Sequence, residues 1–313
     1  MALKSLIPKT ALIIGSFGQD GKLLTKHLTQ AGYQVNGIGR NSGGPDLGSS
    51  DAVRDFLDQT RPSEIYYLAA FHHSSEGKYP GELELFRRSY EVNVFYPLHF
   101  LDALRELKSG ARFFYAASSL IFGDSPVEEQ KEESPYYPHS AYGITKLDGM
   151  MACRFYRENH AVFASAGILF NHESEHRQPG FLSKKIVNAV WDIVGGSEAK
   201  LVIGATAAEV DWGYAPDYVR AMHQILLSEQ AGEFIVATGR KHQVSEFLDI
   251  AFRAVGLDWK SHVIENNSGL QRLRKTIVGN PTRLTQATGW RPQTDFRQMV
   301  ETLVRIEGER RRV

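Results

Sequence analysis

The chain has 313 residues, 42% of them hydrophobic and 11% aromatic, enough to bury a large core as one large or two modest domains and too apolar for disorder. Lys plus Arg and Asp plus Glu stand at 36 each, so net charge gives no reason to expect nucleic acid or an anionic membrane as partner, and any phosphate must be met locally. Cys153 is the only cysteine, which excludes an intrachain disulfide; the start MALKSLIPKTALIIG lacks a signal-peptide pattern and no apolar run approaches the ~20 residues that span a bilayer, so a soluble cytoplasmic protein is expected.

In chain order, the apolar run Ala11 to Ile14, the stretch GSFGQDG and an apolar-periodic segment to Ala31 read as a buried parallel strand, a tight turn and a helix. Gly15, Gly18 and Gly21 form GxxGxxG, with Phe17, Gln19 and Asp20 between them. Such spacing lets backbone turn sharply and approach a pyrophosphate at the positive helix N-terminus, although an ordinary glycine turn shares it. The flanking strand and helix favour a dinucleotide. The next strand, Gln34 to Ile38, ends in GRNS, without the acidic residue that would meet a ribose 2′-hydroxyl. Arg40 there can pair with a 2′-phosphate, which argues for NADP over NAD.

Asp46 and Leu47 fall where a short third strand would end, a usual place to meet an adenine. A helix from Ser50 to Gln59 then leads into a strand from Ile65 to Ala70, whose last residues Leu68, Ala69 and Ala70 suit close packing against a cofactor. The polar FHHSSEGKYPG reads as a loop over a substrate mouth; its adjacent His72 and His73 lack a third ligand, so no metal is expected. A long helix from about Leu83 to Leu107 precedes the strand Arg112 to Ala117, which delivers Ser118. Tyr142 and Lys146, four positions apart, share one face of the next helix. An ammonium there is expected to pull the phenol below its usual ~10 and make Tyr142 a proton shuttle, with Ser118 holding the same substrate oxygen.

That helix runs to about Asn159, a strand from Val162 to Leu169 ends in FNHES, and beyond Pro179 the pattern is less regular. The expected fold is α/β: a Rossmann doubly wound parallel sheet, mainly residues 1–170, with a smaller interleaved C-terminal α/β substrate lobe, mainly 171–313.

GQDG at Gly18 to Gly21, IYYLAA at Ile65 to Ala70, YPHSAYGITK at Tyr137 to Lys146, GILFNHES at Gly167 to Ser174 and DWGYAPDYVRAM at Asp211 to Met222 follow one another in a known order. In these blocks, which span nearly the whole chain, the sequence resembles the extended short-chain dehydrogenase/reductases, and among them the GDP-mannose 4,6-dehydratases. The resemblance implies NADP on the Rossmann lobe, a nucleoside-diphosphate sugar (GDP-sugar favoured) on the C-terminal lobe, and reversible oxidation at the sugar C4. It assigns the glycine loop and Arg40 to NADP, Asn171 to the substrate near its diphosphate, and implies pairing of two copies through the long helices Leu83 to Leu107 and Ala141 to Asn159. Phe95, Phe100, Met150, Met151 and Phe155 on these helices exceed what one core-facing stripe needs, consistent with a homodimer.

Two departures separate this chain from that family's pattern. The glutamate expected two positions after Ser118, the base for the C5 proton, is Leu120, and the intervening position, acidic in related dehydratases, is Ser119. Loss of a general base costs ~10² to 10⁴-fold, which leaves oxidation open and makes elimination slow. The diphosphate-clamping arginine before DWG is Val210, with Arg272, Arg274 and Lys275 as compensating candidates. An epimerase or ketoreductase is therefore expected ahead of a dehydratase with a relocated base and ahead of a non-catalytic NADP-binding protein. If a carbon base is needed, His72, His73, His172 and Glu173 are the candidates.

Overall fold

The computed structural model describes residues 9–39, 43–72, 81–266 and 276–312. The first half alternates strictly: β1 (Thr10–Ile14), α1 (Gln19–Gln30), β2 (Gln34–Ile38), α2 (Ser50–Thr60), β3 (Glu64–Tyr67), then α3 (Glu82–Tyr90) and α4 (Tyr96–Glu106), joined through a π-helical turn at Glu91–Phe95. β4 (Arg112–Ser118) runs into a 3-10 turn, and β5 (Glu129–Gln130), α5 (Ala141–His160), β6 (Ala164–Leu169) and β7 (Asn171–Glu173) follow. The second half holds α6 (Leu182–Val194), β8 (Leu201–Ile203), β9 (Glu209–Tyr214), α7 (Ala215–Leu227), β10 (Glu233–Val236), β11 (Lys241–Gln243) and α8 (Val244–Arg253). It ends with β12 (Val263–Glu265), β13 (Val278–Gly279), α9 (Thr282–Thr288) and α10 (Phe296–Arg311). Among the described residues no helix is long and apolar enough to cross a membrane.

Six strands form one parallel sheet in the order β10-β6-β4-β3-β1-β2. Side chains on a strand alternate between faces, and here both faces are covered. Leu12 and Ile14 of β1 and Phe113 and Tyr115 of β4 join a core with α2, α4 and α5, whereas Ala11, Ile13, Phe114 and Ala116 face a second core with α1 and α7. This explains why these strands read as continuous apolar runs. A third core unites α6, α8 and α10 around Trp212 of β9. The chain moves from β1 outward to β2 and then returns to the other side of β1 for β3, so the order reverses at the carboxyl ends of β1 and β3. Ligands of open α/β sheets bind at such a point.

Two expectations about the first half need correction. No strand ends at Asp46–Leu47: Asp46 accepts the Gly48 amide at 2.9 Å, the Leu47 carbonyl meets His99 Nδ1 at 2.8 Å, and this local turn leads directly into α2, leaving β2 as the sheet edge. The long helix is not uniformly α-helical either. At its π turn the Asn93 carbonyl accepts the Tyr115 hydroxyl at 2.7 Å, while the buried Asn93 side chain accepts the Phe71 amide (3.1 Å) and donates to Thr145 Oγ1 (3.0 Å). Gly149 of α5 sits against this junction; a Cβ there would stand 2.3 Å from Tyr115 Oη and 2.5 Å from the Asn93 carbonyl oxygen. The polar junction and the missing Cβ together hold α5 close to β4.

Candidate active site

Gly15 leaves β1 with φ +93°, and a Cβ there would lie 2.7 Å from the Ala69 nitrogen, so the turn is pressed onto the Leu68–Ala70 stretch that follows β3. At Gly21 a Cβ would come within 2.3 Å of the Gly15 carbonyl oxygen. Only glycine permits this contact of turn, helix and strand. Gly18 caps α1 without a side-chain acceptor, leaving the N-terminal amides of the helix for an anion, and the Phe17 ring lies exposed against Gly39. This cradle fits the pyrophosphate of a dinucleotide. Arg40 lies outside the described residues, as do His73, Arg272, Arg274 and Lys275.

Asp20, in the first turn of α1, has a structural partner. His172 Nε2 lies 3.0 Å from both Asp20 carboxylate oxygens, His172 Nδ1 lies 2.7 Å from the Phe170 carbonyl, and the imidazole stacks on Tyr218. Burial opposes charge on both partners, but their mutual attraction outweighs it: Asp20 is held below and His172 above its ordinary value. Gln19 reinforces the bridge by donating to the His172 carbonyl (3.1 Å) and accepting from Ser174 (2.9 Å). His172 therefore has no free ring nitrogen and is not a carbon base. Glu173 is also committed, accepting the Ser183 hydroxyl at 2.5 Å and pairing with Arg177 at 3.2 Å.

α5 begins at Ser140, whose hydroxyl accepts the Gly143 amide at 3.1 Å, and rests on the 3-10 turn after Ser118: a Cβ on Gly143 would stand 2.7 Å from the Leu120 carbonyl oxygen. Ser118 closes β4 and its Oγ accepts the Leu120 amide at 3.2 Å; Ser119 is buried beside it. Lys146 is buried, donates to the Ala116 carbonyl at 2.7 Å and lies 5.6 Å from the centre of the Tyr142 ring. Burial drives the amine down to about 7, although Asp20 opposes the shift. Burial also pushes the Tyr142 phenol up to about 12, with Arg177 pulling it back. The expected lowering by Lys146 is thus reversed in the protein alone, because desolvation of the phenolate exceeds the help from an amine that itself sheds charge.

Around Tyr142 the structure gathers His72, a candidate base of the sequence reading, together with Phe181 and Arg177, which that reading did not select. His72 meets the Tyr142 ring edge-on, centroids 4.8 Å apart, and stacks on Phe181 at 5.8 Å; the Arg177 guanidinium covers Phe181 at 3.6 Å. Arg177 and Phe181 lie in a polar turn after FNHES with no periodicity to single them out, and Asn93 read as one polar position in a helix. Asn171 opens β7, solvent-facing and paired in register with Trp212. Val210 pairs with His242 between β9 and β11 and packs at the edge of the third core.

The DWG…DYV block serves as a joint. Asp211 accepts the amides of Thr238, Gly239 and Gly279 and the Thr238 hydroxyl, while Asp217 accepts the amides of Gln293 and Thr294. These bonds tie the C-terminal half to the sheet.

A model of the GDP-mannose 4,6 dehydratase family matches residues 44–303. The chain belongs to this family. It is 33% identical to GDP-mannose 4,6 dehydratase 1 of Arabidopsis thaliana, covering 95% of this chain and 89% of the relative. The human GDP-mannose 4,6 dehydratase is 30% identical, with 96% and 91% covered. Among solved structures, RMD from Pseudomonas aeruginosa, complexed with NADPH, superposes with a TM-score of 0.82 at 19% identity, covering 96% of this chain and 99% of that one. UDP-glucose 4-epimerase of Thermus thermophilus, in complex with NAD, gives 0.78 at 22% identity, covering 95% and 98%. Family membership accounts for the parallel sheet, the glycine turn and the YxxxK helix.

Proposed function

We propose that this protein is an NADP-dependent enzyme that removes and returns hydride at C4 of a nucleoside-diphosphate sugar, with a GDP-sugar favoured, and that it works as an epimerase or ketoreductase. The observation that carries this reading is Leu120. It occupies the turn directly after Ser118, against the start of the Tyr142 helix, and offers no carboxylate where the family's elimination base is expected. Glu173, the candidate for a relocated base, is buried and held by Arg177 and Ser183, which weighs against the dehydratase alternative.

The bound cofactor would supply the hydride acceptor and donor. Gly15, Phe17, Gly18, Gln19, Asp20 and Gly21, with Leu68, Ala69 and Ala70 behind them, would hold it at the switch point; Arg40 would meet the 2′-phosphate, and Asp46 and Leu47 would stand near the adenine. Ser118 would orient the sugar hydroxyl, and Tyr142 would take its proton during oxidation and return it during reduction. Lys146 would stand on the same helix face, its amine held by the Ala116 carbonyl and its charge opposed by burial. An inversion at C4 needs no carbon base; an inversion at C3 or C5 would draw on His72, the candidate that lies against Tyr142.

Mass spectrometry of GDP-mannose and a panel of nucleotide sugars incubated with the protein and NADP(H) tests this. Isomerisation at equal mass, or a change of two hydrogens, is expected. Efficient formation of a product lighter by one water would replace this reading with the dehydratase.

A further inference from the structure

Lys146 is a buried amine with little to hold it as a cation. It is 1% exposed, it donates to the Ala116 carbonyl at 2.7 Å, and among the described residues no carboxylate pairs with it. Burial opposes its charge, and the ionisable groups that favour the charge are Asp20 of α1 and Cys153 of α5. Neither is a dedicated counter-ion, since Asp20 is bonded to His172 and burial keeps Cys153 in its thiol form.

Two rings complete the surroundings. Nζ stands over Tyr115 at 4.8 Å from the ring centre and over Tyr142 at 5.6 Å. The negative face of an aromatic ring attracts an ammonium, more strongly where water is excluded. Tyr142 is the group that would exchange a proton with the sugar, so its ring is no constant partner.

Tyr115 is constant because it is fixed in place. Its ring stacks on Tyr67 at 19° between planes, its hydroxyl donates to the Asn93 carbonyl at 2.7 Å, and the Tyr67 hydroxyl donates to the adjacent Val92 carbonyl at 2.6 Å. Both carbonyls belong to the π turn at Glu91–Phe95, and the missing Cβ of Gly149 leaves room for the Tyr115 hydroxyl. Burial holds the Tyr115 phenol well above its ordinary range, with Cys153, Tyr67, Tyr142 and Asp148 adding to the effect, so this ring stays neutral while its neighbours titrate. Adjacent residues of β4 thus supply the amine with a carbonyl, from Ala116, and a ring face, from Tyr115.

We infer that Tyr115 is a positioning residue for hydride transfer: its ring face, anchored through the Asn93 carbonyl, holds the Lys146 ammonium in place beside Tyr142. This rests on the reading of Tyr142 and Lys146 given above. The consequence is electrostatic, because an ammonium that keeps its charge lowers the cost of forming the Tyr142 phenolate.

The test follows the Lys146 side chain by NMR in the full chain carrying isotope-labelled lysine, its resonance assigned by its absence in Lys146→Arg, and compares the unmodified protein with Tyr115→Leu and Tyr115→Phe. Loss of the ring in Tyr115→Leu is expected to lower the titration midpoint of Lys146 by about one pH unit, a roughly tenfold loss of ammonium above the midpoint, and to move the alkaline fall of hydride exchange with labelled NADPH down by the same amount. Tyr115→Phe keeps the ring and should leave both in place. An unchanged midpoint in Tyr115→Leu would overturn the proposal, as would an equal lowering in Tyr115→Phe, which would assign the effect to the hydroxyl. If Tyr115→Leu does not fold, pentafluorophenylalanine at the same position withdraws electron density from the ring face at nearly unchanged size; it should lower the midpoint relative to Tyr115→Phe, and equal midpoints would overturn the proposal as well. An unmodified protein that exchanges no hydride with any member of the nucleotide-sugar panel would instead defeat the functional reading, while the titration still decides whether Tyr115 holds the ammonium.

Discussion

The Asp20–His172 bridge joins the first turn of α1 to β7, so it couples the cofactor cradle to the strand that carries Asn171. Replacing Asp20 by Asn keeps size and one acceptor but removes the charge. A hydrogen bond to a charged group contributes about 1.5–3 kcal/mol, and the desolvation of both partners offsets part of it, so a loss of about 1–3 kcal/mol is expected. For a chain of 313 residues, with about 2.1 cal/mol/K per residue of unfolding entropy, this corresponds to a fall of about 2–5 °C in melting temperature. The pH dependence follows from the two shifts. His172 is raised above its ordinary 6.5, so its contribution is complete below 6.5 and disappears as pH rises through the higher folded value. Asp20 is lowered from 3.8, so its contribution is present above 3.8 and disappears as pH falls through the lower folded value. The bridge is thus strongest between these limits. Thermal melts of both proteins without cofactor at pH 6 and pH 9 should show the larger gap at pH 6. A gap that is equal or larger at pH 9 would refute the charged bridge and leave only a packing effect.

Four further outcomes are expected. Tyr142→Phe should abolish hydride exchange with labelled NADPH while leaving cofactor affinity intact, and Leu120→Glu in the otherwise unmodified chain should introduce measurable water loss from GDP-mannose; retained exchange in Tyr142→Phe would remove it as proton shuttle. NADP(H) should bind more tightly than NAD(H), with Arg40→Ala costing the former about 1.5–3 kcal/mol and sparing the latter, as measured by fluorescence titration. Light scattering at micromolar concentration should report a dimer: Phe100 and Met150, first counted toward the interface, are buried in the core, but Phe95 and Phe155 are 51% and 53% exposed and Met151 and Leu83 lie open on the same helices. A monomeric mass would defeat that expectation.

The sequence by itself determined the parallel sheet, because strands buried on both faces must be apolar throughout, and it determined the glycine turn, because Gly15 and Gly21 have backbone where a Cβ would lie. It also located Tyr142 and Lys146 on one helix face, since helical spacing is local. Tertiary structure alone decided their protonation: burial, which no local pattern reports, raises the phenol and lowers the amine. It likewise removed His172 and Glu173 from the candidate bases, since their partners Asp20 and Ser183 are chosen by the folded chain, and it brought His72, Phe181 and Arg177 to Tyr142 from two separate loops. Residues that meet only through long-range packing leave no spacing to read, which is why the rim of this site became visible only in three dimensions.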